Sequence, residues 1–491
     1  MAVLILHKPD GDRRITFSPP ARLDDILSAA DVPLSHPCGG RGVCGKCRVR
    51  IEGGLSPMNA AEKKAGHRLS CQTVLTGDCE YWPETERESA QIESTSGAYA
   101  GPLHPERTGY GIAVDIGTTT VVVQLYNLST GIRLSEASAR NRQIGIAADV
   151  MGRIGAAMEG RLEDLRSQIT GQIDELTLEA CRRAGLDSSL VSTGVFTGNT
   201  TMLYLLTGRD PECLSHAPFS ADTLFDTEFD FHGISVYLPP CFSAFVGADI
   251  ACAILYSGML NSDRTALLCD VGTNGEMALW KDGKLSVCST AAGPAFEGAG
   301  ITCGCSDVPG AIDSVRTEDG KPVVHTIRDL PAEGICGSGL IDAVAALLNI
   351  GELDETGYLE DDYVLSGKVY LTPSDIRAVQ LAKAAIAGGM KTLLERSLTQ
   401  PEDLSGLYLA GGFGNHLNPK SAARIGLFPR VLSERTRPIG NAALGGAAAI
   451  LLNRDLKDEV RRMQTVAGTV PLGGDPLFNR NYVDEMCFPE D

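Results

Sequence analysis

The sequence predicts a small α+β unit followed by a larger, two-lobed α/β unit. Three observations predict it. A glycine-rich loop, "PCGGRGVCGKC" at 37–47, sits among short strand-like stretches. A polar segment at 83–106, with scattered Gly and Pro and no sustained period, separates the two units. Beyond it one pattern occurs twice: strand, D-[IV]-G-T turn, strand, turn, strand. Its two acids, Asp115 and Asp270, lie 155 positions apart, about the size of one lobe.

The bulk numbers fit this division. A chain of 491 residues is too long for one core. An apolar fraction of 43 % excludes a mainly disordered chain. A formal charge of −19 argues against a nucleic-acid binder, which needs basic patches, and serves either solubility or the steering of a partner. The longest apolar run, "AALGGAAAILL" at 442–452, falls well short of the ~20 residues a bilayer needs, so no membrane span is expected. The start, "MAVLILHKPDGD", lacks the charged region and long apolar stretch of a secretory signal. Fifteen cysteines without such a signal point to a reducing cytoplasm, where cysteines ligate metals or sit in cores.

In chain order, residues 2–7 and 13–18 read as two short strands and 22–30 as a short helix. After the cysteine loop, "CRVRIEGG" reads as a strand ending in a Gly-Gly turn. "CQTVLTGDCEYW" (71–82) reads as strand, turn at Thr76-Gly77-Asp78, and strand. Past the polar segment, 110–134 gives two strands around a tight Gly-Thr turn, then a second turn at Ser129-Thr130-Gly131. Leu162, Leu165, Ile169, Ile173, Leu176 and Ala180 step by three and four, so 160–183 is an amphipathic helix. "VFTGNTTMLYLL" (195–206) runs from strand into helix, with Asn199 as N-cap. The second strand pattern fills 267–287, and helices at 335–348, 375–395 and 439–452 are expected to form an outer layer.

The cysteine loop carries the first chemistry. Cys38, Cys44, Cys47 and Cys71 are spaced C-x5-C-x2-C-x23-C. Plant-type [2Fe–2S] proteins have four residues in the first gap; this chain has five, as vertebrate-type and related bacterial ferredoxins do. Glycines 39, 40, 42 and 45 let backbone N–H groups turn toward bridging sulfides, stabilising the charge added on reduction. A zinc knuckle is the alternative, but it pairs its ligands as two close doublets. Cys79 lies in the following strand and reads as a core residue. Cys303 and Cys305, in "GITCGCSDVPG", could touch a metal, although such cysteines are commonly small buried hydrophobes.

"DIGTTT" and "DVGTNGE" each place an acid at a strand end, a glycine for the turn, and hydroxyls or an amide beside it. Gly117 and Gly272 let backbone N–H groups approach phosphate closely, and Thr118, Thr119, Thr120, Thr273 and Asn274 add side-chain groups. Asp115 and Asp270 suit Mg²⁺ held through water, since that ion keeps much of its hydration shell. "LYLAGGFGNHLN" ends a strand in Gly411-Gly412, where missing Cβ atoms leave room for adenosine. Two such loops and a late strand-GG, in that order, point to ATP binding. Asp270 is the expected catalytic acid, and Glu276, six residues on, is the candidate for orienting the attacking water; its alternative is a surface strand carboxylate.

The order of these motifs resembles the acetate and sugar kinase, chaperone and actin superfamily of ATPases. With a ferredoxin-like β-grasp domain in front, the whole resembles the reductive activators of corrinoid-dependent enzymes. "TGNTTM" (197–202), "FVGADI" (245–250), "GPAFEGAGI" (293–301), "GICGSGLID" (334–342) and "GNAALGGA" (440–447) look like that family too, so the resemblance spans nearly the full length. It implies a [2Fe–2S] domain at 1–82, a flexible linker at 83–106 and an ATPase at 107–491, with lobes at about 107–265 and 266–491. It also implies ATP-driven return of Co(II) corrinoid to Co(I). The partners would be a corrinoid protein of a methyltransferase system and an upstream low-potential electron donor, and a homodimer is compatible. The chain departs from longer members: an extra middle domain and a C-terminal cysteine cluster are not expected. Two other readings remain, a small-molecule kinase with a ferredoxin domain attached, and an electron-transfer protein whose second half only binds.

Overall fold

The computed structural model describes residues 1–7, 11–30, 32, 42, 47–82, 103, 108–261, 263–411 and 417–490. Cys38, Cys44, Gly412 and all of the 83–106 segment except Leu103 lie outside the described residues.

The N-terminal unit contains β1 (Ala2–Leu6), β2 (Arg13–Phe17), β3 (Ala21–Arg22), α1 (Leu23–Ala29), β4 (Arg50–Leu55), α2 (Ala60–Ala65) and β5 (Val74–Trp82). Its sheet runs β2-β1-β5-β3, with β4 also on β5. Ala2, Leu4 and Leu6 alternate inward along β1 and meet Leu23, Leu27 and Leu75 in a small core of their own. Two expected turns are absent. Gly53-Gly54 does not turn the chain: β4 continues to Leu55 through a register shift, and a Cβ on Gly54 would lie 2.7 Å from the Gly77 backbone. Thr76-Gly77-Asp78 likewise lies within the single strand β5. Both glycine sites exist for strand-to-strand approach. Helix α2, unread in the sequence, is closed by an Asn59/Glu62 capping box and by Gly66 at φ 73°.

The first lobe holds β6 (Tyr110–Ile116), β7 (Thr120–Asn127), β8 (Arg133–Arg140), α3 (Val150–Ala156), α4 (Leu162–Arg183), β9 (Val191–Gly198), α5 (Thr200–Leu206), β10 (Thr227–Phe231), β11 (Ile234–Leu238) and α6 (Ala248–Ser257). Its sheet order is β10-β11-β9-β6-β7-β8. The apolar stripe of α4 packs on β7 and β8, with Leu165, Ile169 and Ile173 fully buried.

The second lobe opens with β12 (Ala266–Val271), β13 (Gly275–Lys281) and β14 (Lys284–Thr290). A small insertion comes next: β15 (Ala311–Glu318), β16 (Lys321–Thr326) and β17 (Gly334–Ile335), then α7 (Gly337–Ile350) and the hairpin β18 (Tyr363–Ser366)–β19 (Val369–Leu371). The lobe is completed by α8 (Pro373–Arg396), β20 (Leu407–Ala410), α9 (Pro419–Arg424), β21 (Thr436–Gly440), α10 (Ala442–Leu452), α11 (Leu456–Val466), β22 (Ala467–Thr469) and α12 (Pro476–Asp484). Its sheet order is β21-β20-β12-β13-β14-β22. In both lobes the acid-bearing strand pairs antiparallel with the next strand and parallel with a later one, β6 with β9 and β12 with β20. That shared topology is the duplication the sequence pattern predicts.

Two expected positions differ. The helix expected at 335–348 is not outer, for α7 is buried from Gly337 to Leu348. Neither is the segment 439–452, for α10 is buried along its whole length. It packs on α6 and on β6 and β9 of the first lobe. Leu444, Ala447 and Leu451 share a core with Ala113, Val122 and Ala251, while Ile250 and Ile254 of α6 reach Leu268 and Ala278 of the second sheet. The small side chains of α10 are the reason: a Cβ on Gly446 would lie 2.0 Å from the Cys252 carbonyl oxygen. Among the described residues no helix is long and apolar enough to cross a membrane.

Candidate functional site

The two D-G-T turns are built alike. Gly117 N–H donates to the Thr120 carbonyl at 2.9 Å, and Gly272 N–H to the Asn274 carbonyl at 3.0 Å. Asp115 and Asp270 sit one residue before the ends of β6 and β12. The first turn is held from behind. Asn141 Nδ2 donates to the Gly117 carbonyl at 2.8 Å, and Asn199, the N-cap of α5, donates to Thr118 Oγ1 at 3.1 Å. Arg153, fully buried in α3, donates to the Thr118 carbonyl at 2.6 Å and to the Ala147 carbonyl at 3.1 Å.

Four carboxylates gather where the lobes meet. Burial pushes Asp115 up to about 6, against the pull of the Asn441 amide, which donates to its Oδ2 at 2.9 Å. Burial, joined by the Asp115 charge, pushes Asp270 up to about 7. Asp249, in the first turn of α6, is raised to about 7 by burial, with Asp270 and Asp115 adding to it. Glu276 lies directly opposite Asp270 in the β12–β13 ladder, 8 % exposed, and burial with the Asp249 and Asp270 charges holds it well above the usual range. The surface-carboxylate alternative for Glu276 is therefore wrong. Like charges at close quarters cannot all ionise without a cation. Among the described residues, no three His, Cys, Asp or Glu side chains converge closely enough to hold a metal ion directly.

Gly411, at φ 99°, lies against this cluster: a Cβ there would sit 2.8 Å from Asp270 Oδ1 and 2.7 Å from the Val271 carbonyl. Its bareness admits the acid as well as any ligand. The sequence reading missed three contributors: Arg153, Asp249 and Glu297. Glu297 Oε2 accepts from Thr119 Oγ1 at 2.9 Å, and Oε1 accepts from Thr273 Oγ1 at 2.8 Å. "FVGADI" and "GPAFEGAGI" contain two of them, but only the fold shows that they meet the phosphate loops.

In the N-terminal unit Cys47 and Cys71 are buried with their Sγ atoms 3.2 Å apart. Two thiolates at ~2.3 Å from one tetrahedral metal stand roughly 3.8 Å apart, so this pair fits a shared iron with a small adjustment. Arg22 donates to the Cys71 carbonyl at 2.7 Å, and buried Glu62 gathers Thr73, Arg68 and the Asn59 N–H beneath the pair. Cys79 sits in the separate core of the sheet, its thiol 3.3 Å from the Gly54 and Gly77 carbonyls. Cys303 lies 3.8 Å from the Lys368 carbonyl, and Cys305 N–H donates to the Ile335 carbonyl.

A buried cysteine pair beside a β-grasp sheet, joined to a duplicated α/β fold with paired acid–glycine–threonine turns, defines a ferredoxin–ATPase fusion. Comparisons agree. A family model of [2Fe–2S] cluster-binding domains matches residues 7–76; the RACo middle region matches 110–262, and the C-terminal RACo ASKHA domain matches 264–491. The RACo middle region thus coincides with the first lobe of this chain. The corrinoid activation enzyme RamQ of Eubacterium limosum is 28 % identical over 97 % of this chain and 98 % of its own length. A [Co(II) methylated amine-specific corrinoid protein] reductase of Methanosarcina barkeri is 26 % identical over 77 % of each. The solved structure of a reductive activator for corrinoid,iron-sulfur protein superposes with a TM-score of 0.73 at 28 % identity, covering 100 % of this chain and 99 % of the other. The chain belongs to the family of reductive activators of corrinoid-dependent enzymes.

Proposed function

We propose that this chain returns a Co(II) corrinoid protein to Co(I), passing one electron from its [2Fe–2S] domain and drawing on ATP bound between its lobes. When bound, the cluster supplies the one-electron donor: it is oxidised by one electron as cobalt is reduced by one. The observation that carries the reading is the joining of a cysteine-bearing unit to two facing phosphate turns in one chain. Cys38, Cys44, Cys47 and Cys71 would hold the cluster. Asp115, Gly117, Thr118, Thr119, Thr120, Asp270, Gly272, Thr273, Asn274, Gly411 and Gly412 would hold the nucleotide.

Mg²⁺ fits the all-oxygen, crowded carboxylates, held through water by Asp115 and Asp270. Asp270 would carry the metal-linked chemistry and Glu276 would orient the attacking water. An external low-potential donor, a cytoplasmic setting and a homodimer complete the reading, with unit boundaries at 82, 106 and about 265. The need for ATP stems from the potential: moving one electron uphill by ~200 mV costs about 5 kcal/mol. That is about the differential binding that swings a two-state equilibrium from 1:99 to 99:1.

One observation keeps a second reading in view. Asp249, raised to about 7 at the start of α6, is the kind of base a small-molecule kinase places beside an acceptor hydroxyl. ATP consumption separates the two. Stimulation by a Co(II) corrinoid protein, with no sugar or acid present, supports the activator. Stoichiometric phosphorylation of a small acceptor without the corrinoid protein would replace it.

A further inference from the structure

Glu297 ends a short helical turn, Pro294–Glu297, that stops at Gly298 with φ 75°. A Cβ on Gly298 would lie 2.4 Å from the Cys305 carbonyl oxygen, so the backbone beside Glu297 is pinned against its neighbour. From there the carboxylate reaches one threonine of each phosphate turn, Thr119 in the first lobe and Thr273 in the second. Gly272 lies against the same group, a Cβ there falling 3.6 Å from Glu297 Oε1.

These are hydroxyls that a bound polyphosphate would use. Each hydroxyl has one proton to donate. It can give that proton to Glu297 or to a phosphate oxygen, but not to both at once. A carboxylate and a phosphate also present the same chemistry to the loops, anionic oxygens that accept charge-assisted hydrogen bonds. Two such anions between the same hydroxyls repel.

We propose that Glu297 is a positioning residue that stands in for phosphate: it links the two loops in the nucleotide-free chain and is displaced when a nucleoside polyphosphate enters. The inference rests on the ATPase reading and goes beyond it. It names the contact that nucleotide binding must break between the lobes. Displacement exchanges an internal link for one made through the ligand, so the loops report whether nucleotide is present.

The test uses full-length, cluster-loaded protein with Glu297→Ala and Glu297→Gln variants. Binding of ADP and of a non-hydrolysable ATP analogue is measured by calorimetry, and amide exchange is followed in peptides covering 115–120 and 270–276. Removing the competing anion should tighten analogue binding about tenfold in Glu297→Ala and by less in Glu297→Gln, whose amide still accepts one hydrogen bond. In the same variants the nucleotide-free loops should exchange faster, and nucleotide should restore their protection. A merely structural role would speed exchange and weaken binding together. Unchanged or weaker binding, with wild type binding normally, overturns the proposal. If Glu297→Ala fails to fold, Glu297→Gln decides by the same criterion. A wild-type chain that binds no nucleotide overturns the ATPase reading and this inference with it.

Discussion

Asp270 and Glu276 face each other across one antiparallel pair, both raised by burial, Asp270 also by the Asp115 charge and Glu276 by the Asp249 and Asp270 charges. Replacing Asp270 by Ala should abolish Mg²⁺-dependent hydrolysis while the visible spectrum of the cluster stays unchanged. Glu276→Gln should lower ATP turnover about 100-fold or more if that carboxylate orients the water; wild-type turnover would pass the role to Asp249. A different residue sets a pH dependence. Lys383 is fully buried, donates to the Cys487 carbonyl and is pushed by burial from 10.5 to about 8. Below pH 8 it is protonated in both states. Between 8 and 10.5 the unfolded chain binds the extra proton, so stability rises with pH across that window, by at most about 3 kcal/mol. Urea midpoints of wild type should climb there relative to Lys383→Met, which lacks the group; parallel curves would reject the assignment. Asp115 and Asp270 at strand ends and the Cys47–Cys71 pair were legible because spacing alone marks them. Arg153, Asp249 and Glu297 were not, because their roles depend on which distant backbone they meet.

Helix α10 shows how packing reaches the site. Its N-cap, Asn441, holds Asp115, and its middle lies against α6, whose first turn carries Asp249. Gly446→Ala must push α10 away from the Cys252 backbone and should cost about 1–3 kcal/mol. ATP hydrolysis should fall with it, because both site residues ride on the displaced helices. Gly171 is the contrast: it sits inside α4 with nothing within 4 Å of an added Cβ. Gly171→Ala should therefore stabilise the fold by about 0.5–1 kcal/mol and leave hydrolysis alone. Equilibrium urea unfolding of the two variants checks both signs. Period and capping made α4 and α5 readable in the sequence. Composition also exposed α10 as a helix, yet an all-apolar helix has no preferred face, so its central position was hidden. The Gly53-Gly54 and Thr76-Gly77-Asp78 stretches misled for a related reason, since a glycine needed for strand approach looks the same as one needed for a turn.

At the scale of the whole chain, each unit has its own core. The apolar clusters of the N-terminal unit draw only on residues 2–81, and the others begin at Tyr110. The sequence composition of 83–106 predicts a tether, and ~24 residues span roughly 25–30 Å by random-coil scaling. Such a reach would let the ferredoxin unit meet an external donor and then a corrinoid held by the lobes, raising effective concentration without fixing one geometry. Cutting within 83–106 should then leave two folded halves. The cluster should still accept an electron, and the ATPase half should still bind the Co(II) corrinoid protein. Corrinoid reduction, measured spectroscopically at nanomolar protein, should drop sharply and recover when the free ferredoxin half is added in excess. Severed halves that work as fast as the intact chain at that concentration would remove the tether from the mechanism. An ATPase half that no longer folds would show that the units depend on each other despite separate cores, and would move the boundary away from 83–106.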